Sequence, residues 1–421
     1  MVEVCQLFPG ITLRCFPDDR FKQGCLSVQI LRPMDKEEAA LNALLPAVLL
    51  RGSTGSPDMR RITQRLDDLY GASVGTCVRR VGDYQTTGLY CSFVEDRFAM
   101  EGDAVFGPAM EFLCELMFSP LLENGAFCDD FVRGEKINLI STIEAQRNDK
   151  RAYAMEKLMG YMCSEDPFGI PRLGTIDQVE AITPQKLYDH YCSILCQSPI
   201  EIFYVGSRDL KTVQQILKPL LARLERKCVD LPAQTPFRGG RQGEYTECMD
   251  VNQGKLCMGF VTPTVNTCPE FAAMQVCNTV FGGGMTSKLF MQLREKMSLC
   301  YAIGSGYHGV KGIMTVAAGI DCAKKEVAQA EILRQLEKTA AGEITPEELE
   351  AAKRALRTSL LSLHDSPSAI ESFYATAALS GLPYTREEYI RAVDAVTAQQ
   401  VARQASLLRL RTVFFLQGVS Q

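Results

Sequence analysis

The chain has 421 residues and a formal net charge of −5, with 46% hydrophobic and 23% charged residues. That length exceeds a single core of ordinary size and predicts two to three domains, in a composition ordinary for a soluble globular protein. A negative balance without any basic run excludes a nucleic-acid surface or an anionic-membrane binder, and the apolar run Ala43 to Leu50, with Pro46 inside it, is far too short to span a bilayer.

The opening MVEVCQLFPG has no charged segment followed by an apolar one, so no secretory leader is expected. ITLRCF and CLSVQILRP read as two short strands in a hairpin-like arrangement across the polar turn PDDRFKQG. Glu37 to Leu50 reads as a helix with a broad apolar face. Pro46 lies in its interior, which costs roughly 3 kcal/mol if nothing relieves it. Pro57 opens a second helix carrying Ile62, Leu66 and Leu69 on one side. ASVGTCVRRV and YQTTGLYCSFV follow as strands, Ala104 to Phe118 as a helix, and Phe131 to Leu158 as a long, mostly polar helical region. Leu210 to Leu224 is helical, and the Pro- and Gly-rich stretch over 225–243 reads as a linker. GEYTECMDV and KLCMGFVTP are strands, Ala272 to Phe281 a helix, and GIMTVAAGIDC a further strand. Lys324 to Ala340 and Thr345 to Ser362 are helices, the second opened by Thr345-Pro346-Glu347-Glu348.

The seventeen cysteines lack C-x-x-C pairs and read as buried thiols in a reducing, cytoplasmic protein. The three histidines, His190, His308 and His364, are isolated in sequence, so a zinc site from this chain alone is not expected. The most informative stretch runs from Val276 to Gly309. Gly282, Gly283 and Gly284 interrupt an apolar segment and free the backbone, and Thr286 or Ser287 offers a helix cap. Arg294 falls in the last turn of the helix that follows, with Tyr301 seven residues on, at the start of a strand. A guanidinium and a phenol at the mouth of a glycine loop suit a carbonyl or carboxylate. Spacing alone equally allows Arg294 to pair with a nearby glutamate and Tyr301 to fill core.

GGGMTSKLFMQLREKMSLCYAIGS resembles the second-half signature of the insulinase/pitrilysin metallopeptidase family, which includes mitochondrial processing peptidase. In that family an arginine and a tyrosine at this spacing bind the substrate backbone, and they match Arg294 and Tyr301. Active members carry H-x-x-E-H in the first helix, two histidines for zinc and a glutamate as base. Counting back from Arg51-Gly52-Ser53 places Ala43, Pro46 and Ala47 there, and Thr142 where the third ligand belongs. None of the four can replace the residue it displaces. The segments before Gly206 and Gly418 also resemble each other, with Ala181-Ile182-Thr183 echoed by Ala395-Val396-Thr397, so the resemblance implies two copies of one fold.

The expected fold is α+β, of the processing-peptidase type: two homologous halves, each a mixed, mainly antiparallel sheet covered by helices. They are placed at 1–224 and 244–421. The resemblance implies a subunit without a cofactor of its own, paired with a zinc-bearing homologue and supplying Arg294, Tyr301 and Gly282–Gly284 to a peptide or protein substrate. Homodimerisation stays open, as does a non-enzymatic peptide-binding or scaffold role. Degenerate bacterial members associated with aminopentanol modification of elongation factor P give one form of the accessory role.

Overall fold

Segments rich in Val, Ile, Thr and aromatic residues build two separate main sheets in the computed structural model, which describes residues 2–418. The first elements are β1 (Glu3–Phe8), β2 (Ile11–Pro17), β3 (Gln23–Pro33), α1 (Ala39–Leu49), α2 (Met59–Asp68), β4 (Ser73–Val81), β5 (Tyr84–Val94) and α3 (Phe106–Phe118). A short hairpin, β6 (Leu122–Glu123) and β7 (Ala126–Phe127), leads into α4 (Asp129–Asn148) and α5 (Lys150–Met162). Then come α6 (Ile176–Glu180), α7 (Pro184–Gln197), β8 (Ile200–Gly206) and α8 (Leu210–Leu221). Beyond an irregular stretch lie β9 (Gly243–Met249), β10 (Gly254–Val261), α9 (Phe271–Phe281), a π-helical turn (Phe290–Lys296), β11 (Cys300–His308) and β12 (Ile313–Ile320). The chain closes with α10 (Lys325–Ala340), α11 (Pro346–Ser362), α12 (Pro367–Ser380), α13 (Arg386–Asp394), α14 (Ala398–Leu407) and β13 (Arg409–Gly418).

Two compact units emerge, one of Met1–Glu144, Ile170–Ala233 and His364–Thr376, the other of Ala145–Gly169, Gln234–Leu363 and Ala377–Gln421. The anticipated linker at 225–243 contains the crossing at Ala233, and two further segments, Ala145–Gly169 and His364–Thr376, each join the unit formed mainly by the other half.

The first unit's sheet has the order β1-β2-β8-β3-β5-β4. The expected hairpin between ITLRCF and CLSVQILRP does not form. β8 lies between them, parallel to β2 and antiparallel to β3, while β2 pairs on its other side with β1. A strand arriving some 170 residues later is a long-range pairing that local turn chemistry cannot announce. One face of this sheet packs on α1 and α3 around Leu26, Val28, Ile30, Leu44, Leu89 and Phe112. On the sheet, Ser27 and Gln29 are polar yet fully buried, because Glu371 receives Ser27 Oγ at 2.5 Å, Gln29 Nε2 at 2.9 Å and both terminal nitrogens of Arg79 at 3.1 and 2.6 Å. Ile370 beside it packs with Phe16, Cys25 and Val205.

The second unit's sheet has the order β11-β12-β10-β13-β9. Its pairings repeat the first: β9 runs parallel to β13 as β2 does to β8, β10 lies antiparallel to β13 as β3 does to β8, and β11–β12 matches β4–β5. The helix before each closing strand is capped by a threonine side chain, Thr183 for α7 and Thr397 for α14. The chain therefore holds two copies of one α+β arrangement. In this unit α5 packs Tyr153, Ala154 and Leu158 on Cys257, Phe414 and Leu416 of β10 and β13. Phe131 to Leu158 is not one helix: Asp149 turns out of helical geometry and accepts the N–H groups of Arg151 and Ala152, which starts α5 afresh.

Pro46 does sit inside α1, and its cost is relieved. A proline leaves the carbonyl four residues earlier, that of Asn42, without its helical donor. Thr87 Oγ1 on β5 supplies one at 2.7 Å.

Candidate functional site

α9 ends at Phe281, and the three glycines that follow turn the chain towards β11. None of them adopts a left-handed conformation, and Gly282 has φ −151°. Their freedom is steric. A Cβ on Gly282 would lie 2.7 Å from Ser305 Oγ, and one on Gly283 would lie 2.7 Å from Thr279 Cα. The Gly282 carbonyl accepts the Ser305 N–H at 2.9 Å, and Ser305 Oγ donates to Asn278 Oδ1 at 2.7 Å. These two glycines thus knit α9 to the edge strand of the sheet, and Gly284 alone faces open space.

Downstream, Ser287 donates to the Gly284 carbonyl at 2.6 Å and accepts the Phe290 N–H at 3.4 Å. Leu289 and Leu293 are buried. Lys288 is anchored on both oxygens of Glu348 at 2.9 and 2.8 Å, and Glu348 also closes the capping box that starts α11. The segment then widens into a π-helical turn, with the Met297 N–H reaching the Gln292 carbonyl five residues back at 3.0 Å. Ser298, at φ +48°, makes the bend into β11.

Both sequence-predicted side chains stand on irregularities. Arg294 lies in the π-helical turn, its guanidinium 4.6 Å from the Phe290 ring centre and 3.6 Å from Glu295, with both charged groups largely in water. Tyr301 is the extra residue of a bulge: Cys300 pairs with Ile320 and Ala302 with Gly319, leaving Tyr301 no opposite number. Its ring is 84% exposed and fills no core. Met285, Met291 and Met297 are also exposed along this segment.

The positions aligned with a zinc site fit no metal. Ala43 and Pro46 are buried in α1, where they contribute only hydrocarbon, and Ala47 adds another methyl. Thr142 on α4 is exposed and donates its hydroxyl to the Asn138 carbonyl at 2.8 Å. Among the described residues, no group of three or more His, Cys, Asp and Glu side chains is placed to hold a metal ion. Arg51, next along, lies 3.3 Å from Glu135.

One polar contact beside this helix was invisible in sequence. His190 Nε2 lies 2.7 Å from Asn42 Oδ1, while Asn42 Nδ2 donates to Gln85 Oε1 at 2.9 Å. The Asn42 oxygen is therefore the acceptor, and the histidine carries its proton on Nε2. Burial pulls the imidazole down to about 4, which keeps it neutral. His190 and Asn42 are 148 positions apart, so no motif joins them.

Comparisons with known proteins give the chain's relatives. The family described as "Peptidase M16 inactive domain" matches residues 181–356. A Bacillus subtilis protein named "Probable inactive metalloprotease YmfF" is 29% identical over 409 residues, covering 97% of this chain and 96% of that one. A conserved protein from Enterococcus faecalis V583 superposes with a TM-score of 0.91 at 28% identity, over 100% of this chain and 99% of that one. A structure described as a peptidase M16 inactive domain, from Pseudomonas fluorescens, superposes at 0.82 and 18% identity, covering 100% and 98%, a likeness of fold. No helix among the described residues is long and apolar enough to cross a membrane.

Proposed function

We propose that the chain is an inactive homologue within the insulinase-type M16 metallopeptidase family, as its similarities support, and that it completes the substrate cleft of a zinc-bearing homologue and grips the peptide backbone for it. The observation that carries this reading is the pair of local irregularities. A π-helical turn and a β-bulge each sacrifice regular hydrogen bonding, and such features recur where a side chain must be re-aimed. Here they present Arg294 and Tyr301 to solvent from a segment whose base is pinned by Lys288–Glu348 and Ser305–Asn278. An exposed guanidinium suits a peptide carbonyl or terminal carboxylate, and the Tyr301 phenol can donate to a peptide carbonyl as well. Zinc, and the base that activates water on it, would belong to the partner.

The test mixes the purified chain with a homologue containing an intact H-x-x-E-H and follows cleavage of a peptide. Arg294→Ala should leave assembly unchanged and lower turnover or affinity ten- to a hundred-fold, the equivalent of about 1.5–3 kcal/mol for one charge-assisted bond. Arg294→Lys should rescue poorly, and Tyr301→Phe should cost less than the arginine change. Normal cleavage by both the alanine and phenylalanine variants would replace this reading with a scaffold role.

A further inference from the structure

A cavity lies in the first unit, away from the Arg294 segment in sequence. Its volume is about 380 Å³, within the range of small-ligand sites. Four stretches converge on it: Thr54 and Gly55 after α1, Arg65 of α2, Glu111 and Cys114 of α3, and Leu220 of α8 with Arg223 just beyond. One wall is locked. Glu115 accepts Ser53 Oγ at 2.5 Å and Arg65 Nη1 at 2.5 Å, and Arg65 stacks over the Phe112 ring at 4.5 Å. Burial opposes the Glu115 charge, but Ser53, Arg65 and the Gly55 N–H outweigh it and hold the carboxyl below its usual range. Gly55 must be glycine for this, since a Cβ would sit 2.6 Å from Glu115 Oε1. The charges of Arg65 and Glu115 are thereby spent on each other.

Two charges remain. Glu111 lies one turn before Glu115 on the same face of α3, and no ion pair engages it among the described residues. Arg223 donates to Ser119 Oγ at 2.7 Å and meets no carboxylate there. Leu220, Pro219 and the buried Cys114, whose thiol burial pushes up to about 12 and keeps neutral, add apolar surface to the lining. Ser119 caps the C-terminus of α3, so Glu111 and the Arg223 head are separated along the helix by roughly 12 Å at 1.5 Å per residue. A free amino acid is too short to reach both. An extended peptide of about three residues, at ~3.3–3.6 Å per residue, spans roughly 10 Å.

We propose that this cavity binds a short peptide with both termini free, its ammonium on Glu111, its carboxylate on Arg223 and an apolar side chain against Leu220. The site is independent of the Arg294 segment. The probe is Ala-Leu-Ala, titrated into the full chain by calorimetry beside its N-acetylated and C-amidated forms. Saturable binding is expected for the free peptide, and at least ten-fold weaker binding when either end is capped. Arg223→Gln should erase the preference for the free carboxylate and Glu111→Gln that for the free ammonium. Both side chains are exposed, so folding is not at stake. No saturable binding, equal binding of a capped peptide, or binding that survives both substitutions and falls with Arg294→Ala would each overturn the proposal.

Discussion

Replacing Lys311 by methionine tests how the second unit holds the chain segment that enters it. Lys311 is fully buried and its ammonium lies 3.0 Å from Asp166 Oδ1, itself inaccessible to water. The ammonium also donates to the Thr235 carbonyl at 2.9 Å, while the Lys311 carbonyl accepts the Phe237 N–H at 2.9 Å. Asp166 accepts the N–H groups of Phe168 and Arg238, each at 2.8 Å. Methionine preserves the length of the stem but removes the ammonium that faces the buried carboxylate. Breaking one side of a buried pair typically costs about 3–5 kcal/mol, of which the stranded Thr235 carbonyl accounts for about 1–3. Asp166→Asn added to Lys311→Met removes the lone charge and should recover part of the loss, which separates charge from packing. Because two compact units need not unfold together, the readout should be local: hydrogen exchange of the backbone over 235–238, with urea unfolding followed by circular dichroism. A single variant within about 1 kcal/mol of the parent, with protection over 235–238 unchanged, would refute the reasoning.

Thr87→Val should strand the Asn42 carbonyl that Pro46 leaves without a helical donor, lowering stability by about 1–3 kcal/mol in urea titration; Pro46→Ala in the same background should restore much of it. His190 makes stability depend on pH. Its folded value near 4 lies below the ordinary 6.5, so the unfolded chain binds the extra proton between those limits. Stability should therefore fall as pH drops from about 6.5 towards 4, by up to roughly 3 kcal/mol, and His190→Gln should flatten that part of a denaturation-versus-pH curve.

Most strands and helices were legible because they announce themselves locally. The start signal at Thr345, the strand-forming residues of YQTTGLYCSFV and the repeated closing segment all lie within short windows of sequence. What escaped was decided at long range. The apparent hairpin of β2 and β3 is opened by β8, whose seven buried residues can join the centre of a sheet but carry no mark of which neighbours they choose. Ser27 and Gln29 look like solvent-facing positions until Glu371 arrives from 342 residues beyond Gln29. The break at Asp149 is different: an aspartate followed by good helix formers is a local start signal, submerged in a longer helical pattern.

The candidate site divides along the same line. Spacing alone left Arg294 and Tyr301 undecided and a family resemblance singled them out, but the reason they are exposed is backbone geometry that spacing does not encode. Seven residues of α-helix and regular strand would place the two side chains by simple periodicity; a π-helical turn, a positive φ at Ser298 and a bulge at Tyr301 reset that periodicity three times within eight residues. The glycines were expected to open the backbone to a ligand, yet Gly282 and Gly283 are consumed in holding α9 against β11. They support the segment that carries Arg294 rather than lie open to a ligand, and of the three only Gly284 has no atom within 4 Å of where a Cβ would stand. That Ala43, Pro46, Ala47 and Thr142 are poor zinc ligands is legible in the sequence, since methyl groups, a proline ring and a hydroxyl supply none of the nitrogen, sulfur or carboxylate donors that zinc requires. In the structure α1 is a settled part of the core. Thr87 serves the carbonyl that Pro46 frees, and Asn42, adjacent to Ala43, is tied to Gln85 and His190. A histidine introduced at Ala43 would have to be accommodated beside that network.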